Sequence, residues 1–177
     1  MAGLGMAQPI VTMSEAQAYV RIETGEEEAV LAGLVASASA LCEAFLNRVV
    51  IAREFSVDVA ASSAWQRLEL TPVQAITSVA AVDVAGVETL LGAAAYAIDI
   101  DSSGDGWVRA SQADGGQRLR VSGTAGMAND ENDVPEPIRQ GVLRLVAHLF
   151  TARDGAGGDP PAAVTALWRP YRRLRLS

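Results

Sequence analysis

Two stretches near the C-terminal end decide the fold: VPEPIRQGVLRLVAHLFTAR at residues 134–153 and ALWRPYRRLRLS at residues 166–177. Apolar residues of the first stretch recur at three- and four-residue spacing, which predicts an amphipathic helix. They are Ile138, Val142, Leu145, Val146, Leu149 and Phe150. Pro135 and Pro137 suit the first turn of that helix, where no backbone N–H is needed. After a Gly/Pro-rich break, residues 162–168 predict two more helical turns, which Pro170 ends.

The N-terminal third predicts two further helices. Ser14 and Gln17 fit a capping box that begins a short helix over about 15–22. Thr24 as N-cap, with Glu27 three residues later, begins a long helix that ends near Leu46. The apolar residues of the long helix recur at helical spacing. They are Val30, Leu31, Leu34, Val35, Ala38, Leu41, Cys42 and Phe45.

Between these helical segments the pattern changes to short β-strands. Alternating apolar and polar residues predict a strand pair within 49–59 and 65–70. Further strands, separated by Gly, Asp and Ser turns, are predicted over 75–84, 96–100, 106–110 and 117–122. The fold class is therefore α+β: a helical bundle of two N-terminal and two C-terminal helices with an inserted small antiparallel β-domain.

This pattern predicts three parts of the chain. Residues 13–48 and 127–168 are expected to form a helical body, and residues 49–126 an inserted β-domain. Residues 169–177 are expected to form a C-terminal arm. With 177 residues, half of them apolar, the chain is long enough to bury one sizeable core and a small satellite domain.

Composition argues against an enzyme. The single cysteine, Cys42, excludes an intrachain disulfide and falls on the apolar face of the long helix, which favours a buried hydrophobe over a nucleophile. The single histidine, His148, has no nucleophile or second ligand at helical spacing, so a structural role is favoured over a general base. No phosphate-binding glycine motif occurs, and no cofactor is expected. The start lacks a signal peptide, and no uncharged apolar stretch reaches membrane-spanning length, so we expect no membrane contact.

One loop partly matches a calcium-binding EF-hand. Asp99, Asp101, Ser103 and Asp105, with Gly104, supply several of the expected positions. The twelfth position is Ala110 instead of the bidentate glutamate, and the flanking residues look like strands. The segment therefore predicts a hairpin turn, and no metal site is expected.

The C-terminal arm carries a concentration of positive charge. Arg169, Arg172, Arg173 and Arg175 lie in the last nine residues of a chain whose net charge is −7. A cationic end on an acidic body favours contact with another macromolecule, although four arginines can also be a solvated helix end that complements the helix dipole. Trp168 and Tyr171 add residue types that are common binding anchors.

The chain resembles the phage head-to-tail connector (adaptor) proteins, including those of gene transfer agents, over most of its length after Met13. The resemblance rests on the order and spacing of several short segments, each weak alone. They are EAFLNR at 43–48, LTPVQAITSV at 70–79, YAID at 96–99, GTAG at 123–126, VPEPIRQ at 134–140, LVAHLF at 145–150 and PYRR at 170–173. The tract 83–95, rich in Ala and Gly, departs from the family pattern, and 155–161 is long.

The resemblance implies a structural role without chemistry. It implies a ring of twelve copies that joins the portal of a phage-like capsid to the tail. The implied partners are the portal protein, a tail-side connector or stopper protein, and further copies of the chain, while DNA passes through the ring without sequence-specific binding. Assembly in the cytoplasm would precede a final place in the particle neck. The residues expected to bind the portal are Trp168, Arg169, Pro170, Tyr171, Arg172, Arg173 and Arg175.

Two other function classes stay open at this stage. A nucleic-acid-binding module could use the arginines of the C-terminal arm on phosphates, but an acidic body repels DNA, and the interleaved aromatic and leucine residues suit a protein groove better. A small hydrolase would have only His148 and scattered carboxylates for its chemistry. Salt-dependent DNA affinity would mark the first class, and a cleft combining His148 with carboxylates the second.

Overall fold

The structure, a computed structural model, describes residues 3–5, 7–22, 27–111, 118–152 and 160–173. The chain divides into two compact units. The helical unit comprises residues 7–51 and 128–177, and the β-unit comprises residues 1–6 and 52–127. The domain limits expected from the sequence, for the helical body, the β-domain and the C-terminal arm, remain predictions.

The described residues of the helical unit form two N-terminal and two C-terminal helices, and with the antiparallel β-unit they confirm the predicted α+β class. These helices are α1 (Met13–Val20), α2 (Glu28–Leu46), α3 (Glu136–Thr151) and α4 (Ala162–Trp168). The observed α3 and α4 match the helices predicted from the C-terminal stretches. A short 3-10 turn, Arg169–Tyr171, follows α4 directly.

The start of α1 differs from the prediction. The N-cap is Thr12, not Ser14, and its hydroxyl accepts the N–H of Glu15 at 3.2 Å. The Glu15 carboxylate accepts the N–H of Thr12 at 2.9 Å, which completes a capping box. In the observed box, the Glu15 carboxylate also pairs with Arg139 of α3. Although burial opposes ionisation, the Thr12 hydrogen bonds and the Arg139 cation hold the pKa of Glu15 below its usual value.

The buried face of α2 is narrower than the apolar pattern suggested. Its buried members are Leu31, Val35, Ala38, Ser39, Cys42 and Leu46. By contrast, Val30 and Leu41, which belong to the same apolar pattern, are 47% and 45% exposed and lie outside the core. The helix ends as predicted at Leu46, where Asn47 adopts the left-handed conformation that asparagine tolerates. The predicted cap at Thr24 lies outside the described residues.

By length and composition, α2 could cross a membrane, although its uncharged stretch, residues 29–42, is shorter than a membrane span. The core helix of a soluble protein meets the same criteria, and α2 buries one face inside the helical unit. That buried face packs mainly on α3, which contributes Ile138, Val142, Leu145 and Val146 to the same core.

The β-unit contains a five-stranded antiparallel sheet. Its strands are β1 (Gly3–Leu4), β2 (Arg53–Ala60), β4 (Val73–Val82), β5 (Glu88–Leu90) and β8 (Arg118–Ala125), in the order β1-β2-β8-β4-β5. Val57, Val79 and Val121 lie side by side in register on its buried face. The short edge strands β1 and β5 were not predicted.

A three-stranded antiparallel sheet completes the β-unit. It has the order β3-β7-β6, where β3 is Gln66–Arg67, β6 is Tyr96–Ile100 and β7 is Gly106–Ala110. The β6–β7 hairpin confirms the prediction for residues 96–110. The predicted pairing of 49–59 with 65–70 is wrong, because β2 pairs with β1 and β8 while β3 pairs with β7. Residues 49–51 are buried in the helical unit instead of extending β2.

Candidate partner-binding surface

The C-terminal arm begins at an anchored tryptophan. Trp168, at the end of α4, is only 1% exposed, and its indole N–H donates to the carbonyl of Ile138 in α3 at 3.1 Å. The ring lies so close to Gly141 that a Cβ there would be 2.1 Å from the indole nitrogen. It also packs on Phe45 of α2, with ring centroids 5.8 Å apart. Apolar burial and a satisfied N–H together hold the start of the arm on the helical core.

The residues that follow return to the end of α2. The backbone N–H of Arg173 donates to the carbonyl of Leu46 at 2.9 Å, which satisfies one of the carbonyls that a helix leaves unpaired in its last turn. The Arg172 guanidinium lies over the Phe45 ring, 5.1 Å from its centroid. The Arg172 side chain thus lies near the negative end of the α2 dipole, an arrangement that favours its positive charge.

The structure separates the predicted portal-binding residues into three groups. Arg169, Pro170 and Arg172 are exposed, while Tyr171 and Arg173 are half-buried. The prediction that Trp168 is a surface anchor is wrong, because its side chain is buried in the helical core. Arg175 lies outside the described residues. The accessible part of the predicted set is therefore residues 169–173, a short cationic segment that we call the cationic ridge. Trp168 and the Arg173–Leu46 hydrogen bond hold this ridge on the helical unit.

Sequence reasoning missed the contact that positions this ridge. Glycine inside a helix costs roughly 1 kcal/mol relative to alanine, so Gly141 in the middle of α3 was a signal of close packing. The packing partner, Trp168, lies 27 positions further along the chain, and no local pattern identifies it.

The EF-hand-like segment forms the turn of the β6–β7 hairpin. One Asp101 carboxylate oxygen accepts the N–H groups of Ser103 and Asp105 at 2.8 and 3.0 Å. The other accepts the indole N–H of Trp107 at 3.2 Å, and Asp105 pairs with Arg67 at 3.7 Å. These carboxylates hold the turn together, so the hairpin interpretation is confirmed. In the part of the chain that the structure describes, no three metal-ligating side chains cluster.

The candidate nucleophile, Cys42, is buried in the core, and the candidate base, His148, has a buried Nε2 atom with no hydrogen-bond partner among the described residues. Burial, with a smaller effect from the neighbouring Glu43 charge, raises the pKa of the Cys42 thiol far above its usual value. The thiol therefore stays protonated in the core, as predicted. His148 is half-buried in the last turns of α3, where the Thr151 hydroxyl donates to the carbonyls of Ala147 and His148 and not to the imidazole.

An ion-pair cluster lies on the five-stranded sheet of the β-unit. The Arg120 guanidinium donates to both oxygens of Asp58, at 2.7 and 2.9 Å, and also pairs with Glu88. The hydrogen bonds from Arg120 lower the pKa of Asp58 to about 2. Arg118 also lies 3.9 Å from Asp58, so two arginines balance the two carboxylates. Because these pairs connect β2, β8 and β5, the arrangement fits sheet stabilisation and not acid–base chemistry.

Comparison with solved structures gives matches over the whole chain. A chain from the neck of an empty gene transfer agent (GTA) particle, solved with C6 symmetry, is 28% identical, with a TM-score of 0.80 over 100% of this chain and 97% of its own. A chain from the native GTA virion gives 28% identity and 0.79 over the same shares. A chain from the native GTA neck, solved with C12 symmetry, gives 25% identity and 0.72, covering 99% of this chain and 97% of that one.

The resemblance to gene transfer agent connector proteins is confirmed. No family model and no curated protein sequence matches the chain. The three structural matches include both the helical unit and the β-unit, since each covers at least 99% of the chain. They share the arrangement of secondary structure at an identity near one residue in four.

Proposed function

We propose that this chain is a structural, non-enzymatic component of the neck of a GTA-like particle, where a ring of copies acts as the adaptor between portal and tail. The observation that carries the proposal is the likeness to GTA neck chains over essentially the full length of both partners. The C6 and C12 symmetries of those necks support a cyclic arrangement, with twelve copies as the expected number.

The cationic ridge is proposed as the portal-binding surface. Arg169 and Arg172 present positive charge on a chain whose net charge is −7, so an acidic partner surface would bind there while the acidic bodies stay apart. Trp168 and the Arg173–Leu46 hydrogen bond already fix the backbone of the ridge. A preordered segment loses less conformational entropy on binding, so more of the contact energy stabilises the complex.

Other features fit the same role. A tail-side connector or stopper would bind the opposite end of the ring, and DNA would pass through the ring without base-specific contacts. The subunit would be made and assembled in the cytoplasm before it becomes part of the particle. The described residues offer a few exposed arginines on an acidic chain, which supports protein binding over phosphate tracking.

Electron microscopy of the protein mixed with portal-bearing heads tests the adaptor role, because it reports stoichiometry and position together. We expect a ring of twelve copies directly below the portal. Heads without a ring at any protein concentration, or a ring placed elsewhere in the particle, would overturn the proposal.

Substitutions in the ridge test its share of the binding. The double variant Arg169→Glu with Arg172→Glu should reduce attachment to heads at least tenfold, more strongly at low salt, since ionic strength screens the charge contribution. Arg144→Glu, at an exposed arginine of α3, is the matched control for charge reversal in the same unit. Equal attachment of the two variants would show that the ridge does not bind the portal.

A further inference from the structure

Two parallel apolar seams run along α2, and the fold covers only one. The inner seam consists of Leu31, Val35, Ala38, Cys42 and Leu46, all buried. The outer seam consists of Val30, Leu34, Ser37, Leu41 and Ala44, which follow one another at alternating spacings of four and three residues. That spacing is the repeat by which one helix packs along another element. Of the outer seam, Leu34 is half-buried and the other members are exposed.

The outer seam is unlike a solvated helix face. An exposed helix face normally carries charged and polar side chains. Residues 29–42 contain no charged side chain, although 20% of the chain is charged. The exposed flanks of the seam are small, with Gly33, Ala36 and Ala40 beside it, so another surface can approach the helix closely.

The single polar member of the outer seam is already satisfied. The Ser37 hydroxyl donates to the Gly33 carbonyl one turn earlier, at 2.8 Å. A contact that covers this face would therefore leave no unpaired hydroxyl donor, and the usual cost of burying a polar group would not arise. Val30 and Leu41, each exposed by nearly half, would gain from the removal of water.

Charge identifies the partner that this face suits. Two copies of a chain with net charge −7 repel each other unless they meet through a neutral surface, and the outer seam supplies one. A partner held by charge would use the cationic ridge instead. The cyclic symmetry of the structurally similar necks arranges copies around one axis, so that neighbouring copies can meet side by side.

We infer that the outer seam of α2 is the lateral interface through which one copy packs against the next copy in the ring. The inference rests on the proposed ring function and specifies which surface closes it. In a ring of more than two copies each contact joins two different surfaces, so the seam meets an apolar surface of its neighbour other than its own counterpart.

Site-specific cross-linking in assembled particles tests the inference. A photoreactive phenylalanine analogue replaces Leu41 in the full chain, and its cross-linked products from purified particles are identified by mass spectrometry. We expect a product that joins two copies of this chain. The same analogue at Ala18, an exposed position of α1, is the control and should give at least tenfold less of that product. Cross-links to portal, tail protein or lipid, or no cross-link in ring-bearing particles, would overturn the inference.

A charged substitution provides an independent readout. Leu41→Lys should leave the unfolding midpoint of the isolated subunit unchanged, because the side chain lies outside the core. It should lower incorporation into particles at least tenfold, while Ala18→Lys should not. Normal incorporation of Leu41→Lys would refute the lateral contact. If the parent protein itself is absent from necks, the adaptor proposal fails instead, which keeps the two outcomes separate.

Discussion

A single glycine sets the position of the arm relative to the core. At Gly141 the Trp168 ring occupies the space of a side chain, since a Cβ would lie 2.1 Å from the indole nitrogen. Gly141→Ala should therefore destabilise the protein by about 1–3 kcal/mol through overpacking, even though alanine favours helix. Urea unfolding monitored by tryptophan fluorescence would measure the change.

The matched control for that substitution lies on α2. A Cβ at Gly33 would meet nothing within 4 Å, so Gly33→Ala should stabilise the isolated subunit by roughly 0.5–1 kcal/mol. Effects of the same sign at Gly141 and Gly33 would contradict the Trp168 packing.

Asp58 gives the stability a specific dependence on acid. Its pKa in the folded chain is about 2, below the value of about 4 for an unfolded aspartate. The ion pair with Arg120 therefore stabilises the fold above pH ~4, and this contribution is lost as the pH falls towards 2. Asp58→Asn should be less stable than the parent at neutral pH and show a shallower loss between pH ~4 and ~2. Urea midpoints across that range would measure it, with Asp99→Asn as control; parallel profiles for parent and Asp58→Asn would rule the effect out.

At the scale of elements, the contact between α2 and α3 forms the main part of the helical core. Leu145→Ala should cost about 2–5 kcal/mol, because Leu145 is 1% exposed and its removal leaves a cavity. Leu41→Ala, at a side chain that is 45% exposed, should have a much smaller effect. Denaturant titration would compare the two variants. Equal shifts in the unfolding midpoint would contradict the assignment of Leu41 to the exposed side of α2.

Helices and strands that depend on nearby residues could be predicted from the sequence. The elements against which they pair or pack could not. The β6–β7 hairpin follows from its turn residues, and α4 from its apolar spacing and Pro170, so both were located correctly. Whether β2 pairs with β3 or with β8 depends on contacts between residues 58 to 72 positions apart. The helical period likewise showed that α2 is apolar on a broad face but could not show which half of that face α3 would cover.

At the scale of the whole molecule, net charge favours a monomer before assembly. We expect light scattering of the isolated protein to report a single subunit, because copies with net charge −7 repel each other. In the proposed adaptor role, the portal would hold the copies in register. A stable ring of twelve in the absence of portal would show that lateral contacts suffice alone. That result would leave the adaptor role intact and remove the requirement for the portal.

The candidate surface was only partly visible from the sequence. The arginines of the arm were recognisable as a charge anomaly, and Arg169 and Arg172 are indeed exposed. Trp168 was assigned to the surface because large aromatic residues near a chain end resemble binding anchors. The pocket that buries it is made by Phe45, Ile138 and Gly141, which come from two other helices, and only the folded chain brings them together.

The hydrogen bond from the Arg173 amide to the Leu46 carbonyl makes the arm a built-in reporter. Amide hydrogen exchange at Arg173 is slow only while the arm lies on the end of α2, so its rate measures how often the arm detaches. If a portal binds the arm in its present position, exchange at Arg173 should slow. If binding detaches the arm from α2, exchange should become faster. The exchange rate of this one backbone proton thus distinguishes binding to the ordered cationic ridge from binding to a detached arm.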